Sequence, residues 1–360
     1  MKYCSNCVLP STKPNIKFFG SICLACKYHS DIKSIKIDWN LRNKEFLALI
    51  KKIKKKKSNL YDVLVPVSGG KDSISQVHYL LKAGLRVLAV NVDYGFKTEI
   101  GKYNLELIPK MGASLFTFRP NLEIHKKILK ISFLDYGDPD LMSHCMLFSL
   151  PLRIASRLQI PFVLLGENSA LEYNGDTKQN QKKITKKWFS EYGANSNITP
   201  RKFAKKYKIP YADLEIYDFP PNKEFLKITP IFTSYFFNWS SENNLKIAEK
   251  YGFKKLKKSS EGTFRNYVGL DEKINRIHQY LKFLKFGYGR ASDHASEDIR
   301  NKKITRSQGI KLVKKYDRVK ITKPFYTDFI NFIGISEKEF FKVLKKYTNF
   351  KTQSDIKNIK

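Results

Sequence analysis

The apolar positions Leu41, Phe46, Leu49, Ile50 and Ile53 fall at helical spacing and predict an amphipathic helix over Asn40 to Lys57. From Tyr61 the pattern changes. Asp62–Val67, Arg86–Val92, Ser114–Phe118 and Pro161–Leu165 are short apolar runs that predict four buried strands, and Ser73–Ala83, Thr98–Met111 and Cys145–Gln159 predict helices between them. Apolar strands separated by helices of this length specify an α/β fold, a parallel sheet covered on both faces. Ligands of such sheets bind beyond the carboxyl ends of the strands. Chemistry is therefore expected in the residues after Val67, Val92 and Leu165, which converge on one edge.

Leu171 to Tyr211 is polar, lysine-rich and short of strand pattern, as an insertion or flap would be. From Glu242 the chain reads mainly helical, with capping-box signals at Thr305–Gln308 and Ser336–Glu339. No internal repeat is present.

Composition changes this picture little. No apolar run in the 360 residues reaches the length of a membrane span, and the first residues are polar, so a soluble cytoplasmic protein with no membrane partner is expected. The formal charge of +34 invites nucleic acid as a partner. The excess is mostly lysine, however, whereas base-edge and phosphate-fork recognition favours arginine, and it is spread along the chain. Nucleic acid is not the expected partner; an anionic small substrate would feel the same field. The run Lys51–Lys57 suits the carboxyl end of a solvated helix.

Four of the five cysteines lie in the first 26 residues. Cys4-x2-Cys7 and Cys23-x2-Cys26, with fifteen residues between the pairs, have the spacing of a four-thiolate zinc ribbon. Such a closed site holds a structural Zn²⁺ and supplies folding energy to a small module; an iron–sulfur cluster is the alternative. Cys145 stands alone on an apolar helix face and reads as core.

The hexapeptide Ser68-Gly69-Gly70-Lys71-Asp72-Ser73 leaves the first strand and opens a helix. Its glycines let backbone approach phosphate oxygens, and the helix amides and dipole favour an anion there. Ser68 and Ser73 add hydroxyl donors and Lys71 a positive charge, while Asp72 suits Mg²⁺ or the orientation of donors. The loop is too short for the GxxxxGK[ST] pattern.

This hexapeptide resembles the PP-loop signature of the ATP pyrophosphatase superfamily, whose members split ATP between the α and β phosphates and adenylate a carbonyl or carboxyl oxygen. The resemblance implies two accessory positions. Asp93, in Val92–Phe96, matches the place where adenine and ribose are wrapped, and Gly166-Glu167-Asn168 matches the loop that faces the phosphates.

Near the end of the chain, Arg290-Ala291-Ser292-Asp293-His294-Ala295-Ser296-Glu297-Asp298-Ile299-Arg300 follows Gly287-Tyr288-Gly289. As chemistry, the mixture can grip a polar anionic substrate and manage protons. It reads equally as a helix N-terminus with Asp293 as cap. With the CxxC pair, the hexapeptide and the GEN loop, the stretch makes the chain resemble the N-acetyl sugar amidotransferase family, over nearly its full length. Members make acetamidino sugars for surface polysaccharide, as in O-antigen biosynthesis, or for flagellar glycans, as in pseudaminic acid modification.

The resemblance implies ATP and Mg²⁺ as cofactors, an N-acetyl sugar substrate, free or nucleotide-linked, and a separate glutaminase that supplies ammonia. Lys71 and Asp72 would act on the phosphates; Arg290, Asp293 and His294 would position the sugar or move protons. The division implied is a zinc-ribbon module over 1–38, a linking helix over 39–60, a PP-loop domain over 61–240 and a helical substrate region over 241–360. The rival reading is a tRNA-modifying PP-loop enzyme, a thiolase or lysidine-type synthetase. Against thiolation, Cys145 is the single cysteine outside the ribbon.

Overall fold

The protein was analysed as a computed structural model that describes residues 1–34, 37–55, 60–169, 182–192, 198–237 and 239–355. Of the lysine-rich segment expected to be an insertion, 171–181 and 193–197 lie outside the described residues.

Seven strands are numbered in chain order: β1 Phe18–Phe19, β2 Ile22–Cys23, β3 Val63–Pro66, β4 Val87–Val92, β5 Ser114–Phe118, β6 Phe162–Leu165 and β7 Thr229–Phe232. The first two form an antiparallel hairpin; the other five form one parallel sheet in the order β5-β4-β3-β6-β7. The chain runs outward from β3 through β4 to β5, then crosses back to β6 and β7. That reversal puts a topological switch point between β3 and β6, where a ligand crevice opens in a sheet of this kind.

The four predicted strands are present, and both faces of the sheet are covered. Val63 and Val65 pack with Ile74, Val77 and Leu80 of the Lys71–Lys82 helix and with Phe46, Ile50 and Ile53 of the Trp39–Lys55 helix. Their neighbour Leu64, pointing the other way, packs with Val163, Leu165, Leu152 and Trp188. β7, at the edge beside β6, has no counterpart in the sequence reading. Its run Thr229-Pro230-Ile231-Phe232 contains a proline, which lowers a strand reading. The predicted Thr98–Met111 helix is two shorter ones, Glu99–Leu105 and Leu107–Lys110, the first capped by Thr98.

The helices after residue 270 share a core with the sheet region. Phe133, on the Leu122–Tyr136 helix, is fully buried; its ring lies 5.2 Å from that of Phe329 and 5.4 Å from that of Phe340. Val92, Tyr94 and Phe96, at and after the end of β4, belong to the same cluster. Phe133→Ala should therefore cost about 3–5 kcal/mol. Urea unfolding followed by circular dichroism and by tryptophan emission should still give one coincident transition; separate melting of the C-terminal helices would contradict a shared core.

Candidate active site

The loop after β3 is built for close approach to an anion. Gly69 has φ +85°, and a Cβ there would come within 2.9 Å of the Leu105 backbone nitrogen, so a side chain is excluded by both conformation and space. The Gly70 amide donates to Ser68 Oγ (3.1 Å) and Ser73 Oγ donates to the Gly70 carbonyl (2.8 Å), which fixes the turn. Gly70 is the N-cap residue of the Lys71–Lys82 helix and no side chain caps that end. Its first amides remain to be satisfied by a ligand.

Lys71 is buried, and its ammonium donates to Asp72 Oδ2 at 2.5 Å. The other oxygen of Asp72 accepts from Asn244 Nδ2 (2.8 Å), which is itself held through Oδ1 by the Ser75 hydroxyl (3.1 Å). Gln76, one turn further along the helix, donates to the Leu164 carbonyl (2.9 Å) and to Thr233 Oγ1 (2.6 Å), locking the helix to β6 and to the turn after β7. Across the crevice, burial and the charge of Asp72 raise the pKa of Glu167 above its ordinary range. A divalent cation between the two carboxylates would relieve this repulsion.

The C-terminal stretch becomes a helix, Arg290–Arg300, whose start is fixed by a residue the sequence did not suggest. Asp317 accepts from the Gly289, Ala291 and Ser292 amides (2.9, 2.9 and 3.1 Å) and from Ser292 Oγ (2.6 Å). A Cβ on Gly289 would lie 2.5 Å from Asp317 Oδ1, while Gly287, at φ +74°, ends the preceding helix. The Gly-x-Gly thus ends one helix and admits the cap of the next. Burial lifts the Asp317 carboxyl to about 6 despite these bonds.

Asp293 is not the cap. It is ion-paired to Lys282 (2.6 Å) and Lys13 (3.3 Å). Burial works against its charge, but the two lysines hold the carboxyl well below its usual range. His294 Nδ1 bonds Thr263 Oγ1 at 2.9 Å, leaving Nε2 for a ligand. Burial, with Arg265 and Arg290 nearby, keeps the His294 pKa well below ordinary, so the ring is neutral at physiological pH. Arg265 is buried and clamped by Glu297 (2.8 Å) and Asp298 (2.6 Å). The Arg290 guanidinium makes no hydrogen bond or ion pair among the described residues.

These elements enclose two adjoining clefts. One, of about 470 Å³, is lined by Ser68–Ser73, Gly166 and Glu167 and has an apolar wall that includes Val92, Leu147 and Pro151. The other, of about 380 Å³, is lined by Tyr28, Trp39, Arg42, Trp239, Asp293, His294, Glu297 and Asn168, among others. Lys71, Asp72, Glu167, Val268 and Arg290 line both. A phosphate-binding surface and a second polar pocket therefore meet at one lysine, two carboxylates and one arginine.

Asp93 lies apart from both clefts. Its carboxylate is engaged by Arg119 and by the Gly95 amide (2.9 Å), which hold its pKa down against burial. Cys145 is buried, donates to the Leu141 carbonyl at 3.5 Å, and its thiol is pushed up to about 12 by burial. Asn244, Arg265, Asp317, Tyr28, Trp39, Arg42 and Trp239 escaped the sequence reading because each is a single residue without a spaced motif.

Cys4, Cys7, Cys23 and Cys26 are all buried, with their sulfurs within 4.8 Å of one another. Cys7 and Cys23 Sγ are 3.8 Å apart. A tetrahedral ion with metal–sulfur bonds of about 2.3 Å needs roughly this sulfur spacing, so the four residues fit a thiolate-bound metal. The Cys7 and Cys23 amides donate to Cys4 Sγ (3.4 and 3.3 Å), which suits a charged sulfur.

The all-parallel sheet with the SGGKDS loop at its switch point makes an α/β fold, joined by an N-terminal four-cysteine cluster and a helical C-terminal region. Residues 261–360, which supply Arg290, Asp293 and His294, match the family model described as "LPS biosynthesis protein WbpG-like, C-terminal domain". Over these residues the chain is similar to the C-terminal domain of WbpG-like proteins. Similar solved structures include an NMN synthetase from Francisella tularensis, at 13% identity over 68% of this chain and 94% of that one, with a TM-score of 0.30. An NAD+ synthetase from Burkholderia pseudomallei is 14% identical over 63% of this chain and 92% of its own, with a TM-score of 0.27. No curated protein matches the chain.

Asp317→Ala would strip the acceptor from three helix amides in a buried setting. It should cost about 2–4 kcal/mol of stability in denaturant titrations; a loss under about 0.5 kcal/mol would mean that solvent replaces the cap.

Proposed function

We propose that this protein is an ATP-dependent, AMP-forming amidotransferase that converts the N-acetyl group of a bacterial surface-glycan sugar into an acetamidino group. The observation that carries the reading is the meeting of the two clefts at Lys71, Asp72, Glu167 and Arg290, with the WbpG-like region forming part of the second. A family concerned with LPS biosynthesis points to a sugar as the occupant of that second cleft. Its aromatic and arginine lining suits one: Trp39 and Trp239 offer faces to sugar carbons, and Arg42 and Arg290 offer donors to oxygens.

The chemistry follows from the weakness of an acetamido oxygen as a leaving group. Its oxygen attacks the α-phosphorus of ATP, the bond to pyrophosphate breaks, and an O-adenylyl imidate forms. Ammonia then adds to the imidate carbon, a proton is lost, and the carbon–oxygen bond to AMP breaks, leaving the acetamidine. The free amides of the Lys71–Lys82 helix and the Lys71 ammonium stabilise negative charge gathering on the phosphates. Asp72 and Glu167 would hold Mg²⁺, which would supply positive charge beside the phosphates. Arg290, the arginine both clefts share, bridges the sugar and the α-phosphate; His294, neutral, donates from Nε2 to the sugar. Asp293, tied to Lys13 and Lys282, positions these two on their helix.

A separate glutaminase supplies the ammonia, Zn²⁺ on the four cysteines is structural, and the reaction is cytoplasmic. The nucleotide chemistry belongs to 61–240 and sugar binding largely to 241–360, with 1–38 as the metal module and 39–60 as the connecting helix. The sugar is of the pseudaminic-acid or diacetamido uronic acid kind.

The test is mass spectrometry of the protein incubated with ATP, Mg²⁺, ammonium and a panel of N-acetyl sugars, including diacetamido nonulosonic acids and UDP-linked diacetamido uronic acids. One sugar should exchange an oxygen for NH with stoichiometric AMP and pyrophosphate. AMP formed only on addition of tRNA would sink the sugar assignment. Lys71→Ala should lower AMP formation by about a hundredfold or more; turnover near the parent rate would remove Lys71 from the chemistry.

A further inference from the structure

The two clefts differ in one respect that the fold alone does not require. Among the described residues, the nucleotide cleft is lined by nothing before Pro66, whereas the second cleft takes Ala25, Tyr28 and His29 from the helix that carries Cys26, and Ile37, Trp39 and Arg42 just after it. We infer that the four-cysteine metal site is a working part of the second cleft: it fixes one wall of that cleft and presents Arg300 as a substrate-binding residue, while the nucleotide cleft does not depend on it. The identity of the ligand rests on the reading above; the dependence of one cleft, and not the other, on the metal does not.

Four sets of contacts join the module to the C-terminal helices. Arg300 lines the second cleft, and its guanidinium interacts electrostatically with Cys7, Cys26 and Cys23. Arg306, at the start of the next helix, donates to the carbonyls of Cys7 (3.1 Å) and Cys4 (3.4 Å). Lys13 pairs with Asp293, and Thr12 Oγ1 donates to the Phe286 carbonyl at 2.5 Å. Tyr288, between the two glycines, packs in the same apolar cluster as the four cysteines.

The electrostatics give these contacts a direction. A divalent ion bound by four thiolates carries a net charge of about −2. That charge draws arginines to the cysteine cluster, and the cleft side of the cluster is where Arg300 stands. With the metal bound, the Arg300 guanidinium is drawn toward the charge of the thiolates on one side and offers donors to an anionic or hydroxyl oxygen in the cleft. Without it, the helix bearing Tyr28 and His29 loses its anchor. The phosphate loop, held by Gly70, Ser73, Asn244 and Gln76, is untouched.

The experiment uses the full chain with its metal content measured by elemental analysis. One arm compares parent protein, protein stripped by chelator, and Cys23→Ser/Cys26→Ser, reading ATP·Mg²⁺ affinity by calorimetry and hydrogen exchange along the chain. The other takes Arg300→Met and Arg300→Lys, each with full metal, and reads KM and kcat for the N-acetyl sugar found in the panel. Metal loss should leave the ATP affinity within about twofold and raise exchange over 1–42 and 290–306, not over the phosphate loop. Arg300→Met should raise the sugar KM at least about tenfold, as expected for a lost charge-assisted bond, with kcat less affected and partial recovery in Arg300→Lys. ATP affinity falling together with the metal, or exchange rising evenly, would overturn the inference. So would a metal-replete Arg300→Met with an unchanged sugar KM. If no sugar in the panel reacts, the proposed function fails, and the calorimetry and exchange still decide whether the metal governs one cleft alone.

Discussion

Asp317 collects the free amides at the start of the Arg290–Arg300 helix, and the arrangement of the site depends on that contact. The aspartate comes from the end of another helix, is almost wholly buried, and occupies space that only a glycine at position 289 leaves open. Because the cap is fixed in the core, the first turns of the helix are fixed too. Arg290 then stands at the junction of the two clefts, and Asp293 and His294 line the second. A helix held by a loose solvent-exposed cap would fray over its first turn, where these residues lie.

Charge is used locally rather than as a general field. The chain is strongly basic, yet the cations of the site are each committed: Lys71 to Asp72, Lys282 and Lys13 to Asp293, Arg265 to Glu297 and Asp298. Arg290 is the exception among the described residues, and both clefts share it. Opposite it, Asp72 and Glu167 are close enough to raise the Glu167 pKa. The site thus holds an unengaged cation facing Glu167 and the Lys71–Asp72 pair, which is the pattern expected of a surface that receives a metal-bound polyphosphate beside a polar co-substrate.

Much of this was legible in the sequence. Strands β3, β4 and β6 are apolar runs buried on both faces, so they stand out without alternation, and the SGGKDS loop follows the first of them; β5, an edge strand, is largely exposed. The paired CxxC spacing announced the cysteine cluster because two short motifs sufficed to define it. β7 was hidden by Pro230, which edge strands tolerate. The partners of the motifs were also hidden, since Asn244, Arg265 and Asp317 act alone and reach the site by tertiary packing. Asp293 was open to reading as a helix cap because its position in the first turn suits one; nothing local indicates that Lys13, some 280 residues away, claims it instead. Asp93, expected beside the nucleotide, is engaged by Arg119, a pairing across neighbouring strand ends that the sequence does not reveal.

The central claim is that an amide oxygen is activated by adenylation in the space between the two clefts. It is tested most directly by giving the protein an N-acetyl sugar whose acetamido oxygen carries the heavy oxygen isotope, with ATP, Mg²⁺ and ammonium, and locating the label afterwards. The account predicts that the labelled oxygen leaves with the nucleotide and appears in AMP. Label retained in the sugar, or released to water while AMP stays unlabelled, would contradict it.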